Sequence, residues 1–119
     1  MDESNKVDSE ECLVTEFHDN GQKKRRGEFL AGKQEGLWIT WYDNGQKSRE
    51  IHYKDGKPDG PWATWRRDGK KKRIGHFSGG RKDGLWIWYH EDEAERHRIS
   101  YRGGVEVNDH LALPSETLE

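Results

Sequence analysis

Residues 36–84 read GLWITWYDNGQKSREIHYKDGKPD, then GPWATWRRDGKKKRIGHFSGGRKD, and then the glycine that opens a third phrase, GLWIWY. The opening glycine and the tryptophan two residues later recur every 24 residues, as Gly36, Gly60 and Gly84 and as Trp38, Trp62 and Trp86. A fixed period of about 20–50 residues is typical of repeat arrays, in which each repeat packs mainly against its neighbours. The stretch therefore predicts a chain built from consecutive copies of one small structural unit.

The repeat pattern extends on both sides of this stretch. An earlier, degenerate copy carries Asn20-Gly21 where the second copy carries Asn44-Gly45, and a fourth copy begins at Gly84. Terminal copies of an array are usually atypical because they cap it. The predicted repeat domain spans 12–107, divided into 12–35, 36–59, 60–83 and 84–107, between a disordered acidic tail at 1–11 and a C-terminal tail at 108–119.

Each copy is predicted to hold two β-strands joined by a tight turn. Asn-Gly and Asp-Gly pairs favour two-residue type I′ turns, because both central residues need a positive φ. The pairs are Asn20-Gly21, Asn44-Gly45 and Asp68-Gly69. In the second copy such a turn makes facing residue numbers sum to 89, so that Trp38 faces Ile51 and Gly36 faces Tyr53. A ring opposite a glycine predicts that the ring covers the backbone of that opening glycine.

The links between copies predict the overall fold. They are short and glycine-rich, as in residues 55–60, so consecutive strands should be neighbours in one sheet. We therefore predict an all-β fold, a single elongated, twisted antiparallel meander of about four 24-residue two-stranded repeats with about eight strands. In the fourth copy, residues 90–97 replace the Asn-Gly turn and Trp88 comes one residue early, which predicts a longer loop or a bulge.

Composition limits the thickness of this fold. Of the 119 residues, 29% are hydrophobic and 37% are charged, a balance too polar for a thick two-layer core. Six Trp, four Tyr and three Phe argue against plain disorder. The single Cys12 excludes an internal disulfide and a cysteine metal cage, and it is expected to be packed. No apolar run reaches the ~18 residues of a membrane span, so we predict a soluble, cytoplasmic protein.

Residues 36–47, together with 50–57, resemble the MORN-repeat family in its variant form G-x-W-x-x-[WY]-Y-x-x-G-[QK]. The resemblance extends over residues 13–107, although the first and fourth copies depart from the motif. It implies a single elongated, twisted antiparallel sheet. The chain is also similar to bacterial proteins known as the YwqK-type antitoxin component of toxin–antitoxin systems. MORN proteins more generally act as protein-binding or membrane-binding scaffolds, and no partner-binding residue is transferred from the family.

The sequence contains no catalytic constellation, so we predict a non-enzymatic protein with no cofactor, metal or small-molecule substrate. No serine or cysteine lies in a nucleophile-elbow or P-loop setting. His52 and His76 share a column, but two strand spacings place them roughly 10 Å apart, too far for one metal ion. The segment 90–97 contains two His and four acids and is expected to be solvated charge.

A basic run at the third hairpin is the first candidate binding surface. Residues 21–83 carry a net charge of +9, between acidic ends of −6 and −5. The run consists of Arg66, Arg67, Lys70, Lys71, Lys72 and Arg73. It is predicted either to bind phosphates of nucleic acid or of an anionic membrane, or simply to keep the hairpin ends soluble and protected. A further alternative is that the acidic tails fold over this basic middle.

The tryptophans outside the Trp38 column are the second candidate. In a single-layer sheet Leu37 and Trp41 should lie on the face opposite Trp38, and Trp65 repeats Trp41. Trp41 and Trp65 belong either to the core or to a partner groove, with Arg49 predicted beside them as a further anchor. The leading hypothesis is binding of a partner protein, in an antitoxin-like role. The alternative is binding of anionic lipid or nucleic acid through the basic run. Nothing in the repeat pattern specifies an oligomeric state.

Overall fold

The computed structural model describes residues 11–107, which form one antiparallel sheet. The strands are β1 (Glu11–Phe17), β2 (Lys23–Leu30), β3 (Lys33–Trp41), β4 (Lys47–Lys54), β5 (Lys57–Trp65), β6 (Lys71–Ser78), β7 (Arg81–Lys82), β8 (Gly84–Tyr89), β9 (Glu95–Arg102) and β10 (Val105–Val107). The all-β prediction is confirmed, and no helix occurs between residues 11 and 107. One sheet without helices forms a single layer over this range.

The strands follow one another as a meander, in the order β1 to β6, then β8, β9 and β10, with β7 paired to the end of β6. Eight of the strands form the four predicted two-stranded repeats, and the prediction of about eight missed two short ones. β7 precedes β8 and is separated from it at Asp83, whose amide donates to His76 O at 2.9 Å. β10 is a short further strand that follows the last link, Gly103-Gly104.

The two predicted tails fall almost entirely outside the described residues. Residues 1–10 and 108–119 are not described, and Glu11, predicted as the end of the acidic tail, is the first residue of β1. Cys12 follows it in the same strand and is exposed, so the expectation of a packed cysteine is wrong. The reason is that β1 is an outer strand, paired on one side only.

The prediction of type I′ turns at the Asn-Gly pairs is wrong. At Asn44-Gly45, the Gly45 amide donates to Tyr42 O at 3.1 Å and the Tyr42 amide donates to Gln46 O at 2.8 Å. The loop therefore has three residues, and only Gly45 has a positive φ, of 90°. This is a type I turn followed by a bulge at the glycine. Asn44 suits it because its Oδ1 accepts a hydrogen bond from the Gln46 amide at 3.0 Å.

The type I′ turns lie instead in the links between repeats. Asp55 and Gly56 have φ values of 52° and 81°, and Lys54 faces Lys57 across them. The same pair of positive φ values occurs at Ala31-Gly32, Gly79-Gly80 and Gly103-Gly104. Two positive φ values in a two-residue loop match the right-handed twist of the strands that they join. The type I′ geometry predicted for the hairpin pairs is therefore found in the links between repeats, for which no turn type was predicted.

The predicted register is confirmed, because a second irregularity compensates for the extra loop residue. Trp41 faces Lys47, one residue away from the predicted pairing, and a register shift follows. Beyond the shift, Trp38 faces Ile51 as predicted. The third copy repeats this arrangement on β5 and β6. The register of the strands therefore does not reveal which turn joins them.

The fourth hairpin has the same turn as the others, so the predicted longer loop does not form, while the predicted bulge does, between Trp88 and Tyr89. The His90 amide donates to Ala94 O at 2.8 Å, and the Glu93 amide donates to His90 O at 2.9 Å. Glu93 adopts a φ of 70° where the other turns have glycine. The repeat is therefore unbroken. Tyr89, rather than Trp88, corresponds to the tryptophan that precedes the second and third turns.

Trp38, Trp62 and Trp86 lie on one side of the sheet, which we call the tryptophan face. Ile51 faces Trp38 on one neighbouring strand and Trp62 on the other, and Trp62 in turn faces Gly75. Residues directly opposite each other in antiparallel strands project to the same side. The predicted single-face column of tryptophans is therefore confirmed, and it forms the core of the sheet.

The prediction that aromatic rings cover the opening glycines is wrong. Gly36 faces Tyr53 as predicted, but no atom lies within 4 Å of the position that a Cβ on Gly36 would occupy. Its φ of 74° explains the glycine instead, since other residues rarely adopt this conformation. The Tyr53 ring packs edge-on against Trp38, with ring centroids 6.3 Å apart.

The glycines that do lie under rings are Gly27 and Gly75. A Cβ on Gly27 would come closer than 3.0 Å to the Trp38 indole, and a Cβ on Gly75 would do so at Trp86. The Trp38 Nε1–H donates to a backbone carbonyl at 3.1 Å, and the Trp86 Nε1–H does so at 3.0 Å. Each indole therefore lies flat on the backbone, which allows a one-layer sheet to bury it.

Trp62 packs differently from these two rings. On the strands between the tryptophans, the facing residues alternate between glycine and isoleucine. The row is Gly27, Ile51, Gly75 and Ile99. Trp62 lies between Ile51 and Gly75, and Trp86 already covers Gly75. Trp62 therefore stacks on Trp86 at 4.8 Å and stays half-buried, whereas Trp38 and Trp86 are each 2% exposed. The packing period is thus 48 residues, twice the sequence period of 24.

Candidate functional site

The side of the sheet opposite the tryptophan face carries the most exposed apolar side chains, and we call it the open face. In the part of the chain that the structure describes, five large apolar residues are between 41% and 69% exposed. They are Leu13, Phe17, Leu37, Leu85 and Val105. Strand alternation and register place all five on the open face. This clustering makes the open face the candidate binding surface.

An aromatic side chain from every repeat lies in one row of the open face, next to the hairpin turns. The row consists of Phe17, Trp41, Trp65 and Tyr89, which are 24 residues apart. Each lies three residues after the tryptophan-face position of its strand, and therefore on the other side of the sheet. Phe17 is 60% exposed, and the other three are half-buried. Two strand spacings separate successive rings, so they repeat about every 9.6 Å.

Lysines alternate with these rings. Lys23 faces Phe17, Lys47 faces Trp41 and Lys71 faces Trp65 across their hairpins. Each lysine also places its Nζ over the aromatic ring of the following repeat. The Nζ-to-centroid distances are 5.2 Å for Lys23 over Trp41, 5.9 Å for Lys47 over Trp65 and 5.5 Å for Lys71 over Tyr89. We call these four rings and three lysines the aromatic–lysine column. The cation–π contacts hold each ammonium group in the row.

A cleft of about 390 Å³ opens between the second and third rings of this column. It is lined by Trp41, Gly45, Gln46, Lys47, Trp65 and Gly69. A narrower space of about 80 Å³ lies on the other side of Trp41, lined by Gln22, Lys23, Trp41 and Gly45. Both spaces have an indole wall, a lysine and a turn glycine. The column therefore presents repeated apolar slots, each with a positive charge.

The hairpin turns hold the column in place through bonds that repeat along the sheet. The side chain that opens each turn bonds the carbonyl of the ring residue in the next repeat. His18 Nε2 lies 2.9 Å from Trp41 O, Tyr42 Oη donates to Trp65 O at 2.7 Å, and Arg66 donates to Tyr89 O at 3.0 Å. Three different side chains thus make one equivalent contact. Neighbouring repeats are therefore joined beside the column by side-chain-to-backbone bonds, which hold the ring residues at a fixed spacing.

A larger concavity of about 700 Å³ lies at the fourth hairpin, but it does not suit an apolar partner. Its lining residues are Arg66, Tyr89, His90, Glu91, Asp92 and Arg96. Opposite charges alternate there at the tip of a turn, and Tyr89 is the sole aromatic among them. We therefore place the candidate site at the aromatic–lysine column.

The structure brings together two of the predicted partner-binding residues and separates a third. Trp41 and Trp65 line the same cleft on the open face. Arg49 was predicted beside them, but it faces Thr40 and Thr64 and therefore projects from the tryptophan face. The predicted register already pairs Arg49 with Thr40, so strand alternation places it on the face opposite Trp41, and the expectation overlooked this. The bulge next to the loop brings Lys47, rather than Ser48, opposite Trp41.

Three residues of the predicted basic run, Arg66, Lys72 and Arg73, line one concavity of about 370 Å³, but the run as a whole does not form one surface. Arg66 bonds Tyr89 O, Arg67 pairs with Asp43 at 2.6 Å, and Lys71 belongs to the aromatic–lysine column. Arg73 projects from the tryptophan face, where its guanidinium lies 5.2 Å from the Trp62 ring. Lys70 and Lys72 are exposed. The six residues thus divide among a turn and two faces, and several are already engaged.

Sequence reasoning missed Phe17, Tyr89, Lys23 and Lys47 of the column, and it predicted Lys71 only as part of the basic run. The 24-residue period applied to Trp41 gives Phe17 and Tyr89 directly, but the displaced Trp88 obscured this relation in the fourth copy. The lysine positions depend on the bulge after each turn, for which the sequence has no clear signal. Their 24-residue spacing was nevertheless visible.

Electrostatic perturbations in the sheet come from exposed ion pairs and from one carboxyl pair, in which the hydrogen bond with Glu11 raises the pKa of Glu28. The hydrogen bond from Arg67 lowers the pKa of Asp43, with the Arg67 charge adding to the effect. Both side chains are more than half exposed, so the pair contributes little to stability. Across residues 11–107, no group of three or more His, Cys, Asp or Glu side chains is arranged to hold a metal ion. Over the same range no helix is long and apolar enough to cross a bilayer.

Comparison with known protein families detects a MORN repeat variant at residues 34–55. This segment contains the second hairpin, with Trp41 and Lys47 of the column. Comparisons with curated proteins and with solved structures give no match. MORN repeats are generally binding or scaffold modules, and the open single-layer sheet is compatible with a non-enzymatic repeat protein.

Proposed function

We propose that this chain is a non-enzymatic scaffold that binds a partner protein on its open face. The observation that carries the proposal is the aromatic–lysine column, together with the exposed Leu13, Leu37 and Leu85 on the same side. Exposed apolar residues scattered singly are ordinary, but a row repeated in every copy on one face is typical of an interaction surface. Trp and Tyr are also the residues in which interface energy concentrates.

The size of the open face supports the same proposal. Nine strands lie side by side in the described sheet, about 4.8 Å apart, and most are 7–9 residues long. One face therefore has roughly 1,000 Å², whereas a standard interface needs about 800 Å² on each partner. The side chains of the tryptophan face, by contrast, already bury one another. Trp38 and Trp86 are 2% exposed and have little surface left to offer.

The antitoxin-like role is a special case of this proposal, in which the partner is a toxic protein. It follows from the resemblance stated above and from the capacity of a rigid row of rings to mask a surface on another protein. In that case wild-type protein should relieve the toxicity of its partner, and a variant without Trp41 and Trp65 should not.

Affinity capture from the native cell at low and high salt tests the proposal. We expect wild-type protein to retain a partner protein at high salt, because an apolar interface is less sensitive to salt than phosphate binding is. Trp41→Ala/Trp65→Ala should lose the partner. Lys70→Gln/Lys72→Gln is the matched control, because it removes two exposed charges of the basic run and leaves the column intact.

The opposite result would favour electrostatic binding of nucleic acid or anionic lipid over binding of a partner protein. That result is capture of nucleic acid or anionic lipid that is lost at high salt and in Lys70→Gln/Lys72→Gln, but retained in Trp41→Ala/Trp65→Ala. The unfolding midpoint of each variant should be measured first, so that loss of capture is not confused with loss of the fold.

A further inference from the structure

We propose that the aromatic–lysine column takes an acidic, proline-rich segment of the partner in polyproline II conformation, lying across the strands. The inference rests on the proposed function, because it specifies the kind of protein segment that the open face binds. It is carried by three features of the column: the spacing of its rings, the chemistry of its slots and the sign of its charges.

The spacing of the rings selects the conformation of the ligand. Successive rings are about 9.6 Å apart, so the row from Phe17 to Tyr89 extends about 29 Å. A polyproline II segment has three residues per turn and rises about 3.1 Å per residue, which gives about 9.3 Å per turn and about 28 Å in three turns. Two turns of an α-helix advance about 10.8 Å, and six turns advance about 32 Å. Of these two, only the polyproline segment keeps every third residue in step with the rings.

The slots between the rings suit proline. The cleft between Trp41 and Trp65 has two indole walls and a volume of about 390 Å³, and it opens to solvent along the row. Proline-rich segments bind by placing prolines between aromatic side chains, at low entropic cost because their backbone is already extended. Their carbonyls have no internal hydrogen bonds. Gln46 and Lys47 line the cleft and supply donors for these carbonyls.

The charges of the column select an acidic segment. Lys23, Lys47 and Lys71 recur at the same interval as the rings, so a ligand with one acid in every three residues meets a lysine at each turn. Lys47 already pairs with Glu50, at 2.5 Å, and an incoming carboxylate would share that ammonium. The row of positive charge ends at Tyr89, which faces Glu95 instead of a lysine. The column therefore has a defined end, and about nine or ten residues of the ligand fill it.

Calorimetric titration with a designed 12-residue peptide, acetyl-(Pro-Pro-Glu)₄-amide, tests the inference. The first comparison peptide has the same composition, with the glutamates moved off the three-residue period. The second is (Pro-Pro-Lys)₄. We expect the periodic acidic peptide to bind at least about tenfold more tightly than the aperiodic one, and the lysine peptide to show no binding.

Three variants assign the binding to the column. Trp41→Ala/Trp65→Ala should lower the affinity for the periodic peptide at least about tenfold. Arg49→Ala, an exposed change on the opposite face, should leave this affinity unchanged. Lys47→Glu/Lys71→Glu should reverse the charge preference towards (Pro-Pro-Lys)₄. This charge-reversal variant keeps both indoles, so it remains informative even if the double tryptophan variant does not fold.

Equal affinity for the periodic and aperiodic peptides would overturn the inference, because charge alone would then explain the binding. So would absence of binding by (Pro-Pro-Glu)₄ to folded wild-type protein. If capture of a cellular partner still requires Trp41 and Trp65 in that case, the proposed function stands and only the polyproline ligand is excluded. If capture of the cellular partner does not require Trp41 and Trp65 either, both proposals fail.

Discussion

Replacing Trp86 with alanine should lower the free energy of unfolding by about 3–5 kcal/mol, the usual cost of truncating a buried tryptophan. Trp86 is 2% exposed, and its ring centroid lies 4.8 Å from that of Trp62 and 5.1 Å from that of Phe77. Its Nε1–H donates to His76 O at 3.0 Å, a bond lost with the ring. In a sheet with one layer, no other side chains can move in to fill the space. Urea unfolding monitored by circular dichroism measures the change.

Two matched variants show whether this loss of stability is specific to a buried ring. Leu85→Ala changes the adjacent residue on the open face, which is 41% exposed, and should cost less than about 1 kcal/mol. Trp62→Ala should fall between the two, because Trp62 is half-buried and covers no glycine of its own. A cost below about 1 kcal/mol for Trp86→Ala would mean that the tryptophan face is not the core.

Replacing Gly75 with alanine should destabilise the protein by about 1–3 kcal/mol or more, although alanine is not unfavourable in a strand. The reason is steric, because the new Cβ would come closer than 3.0 Å to the Trp86 indole, which lies flat on the glycine. The backbone of Gly75 is extended, so no conformational strain contributes. The cost arises entirely from lifting the ring off the sheet, and should appear as a lower unfolding midpoint.

A double-mutant cycle isolates this contact. In the Trp86→Ala background the Cβ of an alanine at position 75 no longer meets the Trp86 ring, so Gly75→Ala should then cost less than about 0.5 kcal/mol. The coupling energy between the two positions should therefore account for nearly all of the cost of Gly75→Ala. If the two substitutions were additive, the indole would not lie on Gly75, and the 48-residue packing period would be wrong.

Much of this fold is predictable because the repeat ties distant positions together. Once Trp38 and Trp62 are seen to be equivalent, one register fixes the face of every residue around them. Turn geometry is harder to predict, because Asn44-Gly45 and Asp55-Gly56 are both good type I′ sequences. The bond from Asn44 Oδ1 to the Gln46 amide, made in a type I turn, distinguishes them in the structure. Which turn type forms depends on the energy of the whole hairpin, and the conformational preference of the two turn residues alone does not predict it.

The candidate site was predictable in part, for the same reasons. Trp41 and Trp65 could be placed on the face opposite Trp38 by strand alternation alone. Arg49 was placed wrongly, although the same register pairs it with Thr40 on the tryptophan face. The bulge beside the turn brings Lys47, not Ser48, opposite Trp41. The stacking of each lysine on the ring of the next repeat also depends on that bulge. The 24-residue spacing of Phe17 and Tyr89 was visible, and the substitution of Trp88 for a threonine concealed it.

Site-specific photo-crosslinking in the native cell tests most directly whether the open face is the binding surface. A benzophenone amino acid replaces Leu37 or Leu85 on the open face in two variants, and Arg49 on the tryptophan face in a third. All three positions are exposed, so each variant should fold. We predict a discrete protein adduct from positions 37 and 85, lost when Trp41 and Trp65 are also replaced by alanine, and none from position 49. An adduct from position 49 alone, or none from either face while nucleic acid or lipid is recovered, would contradict the account.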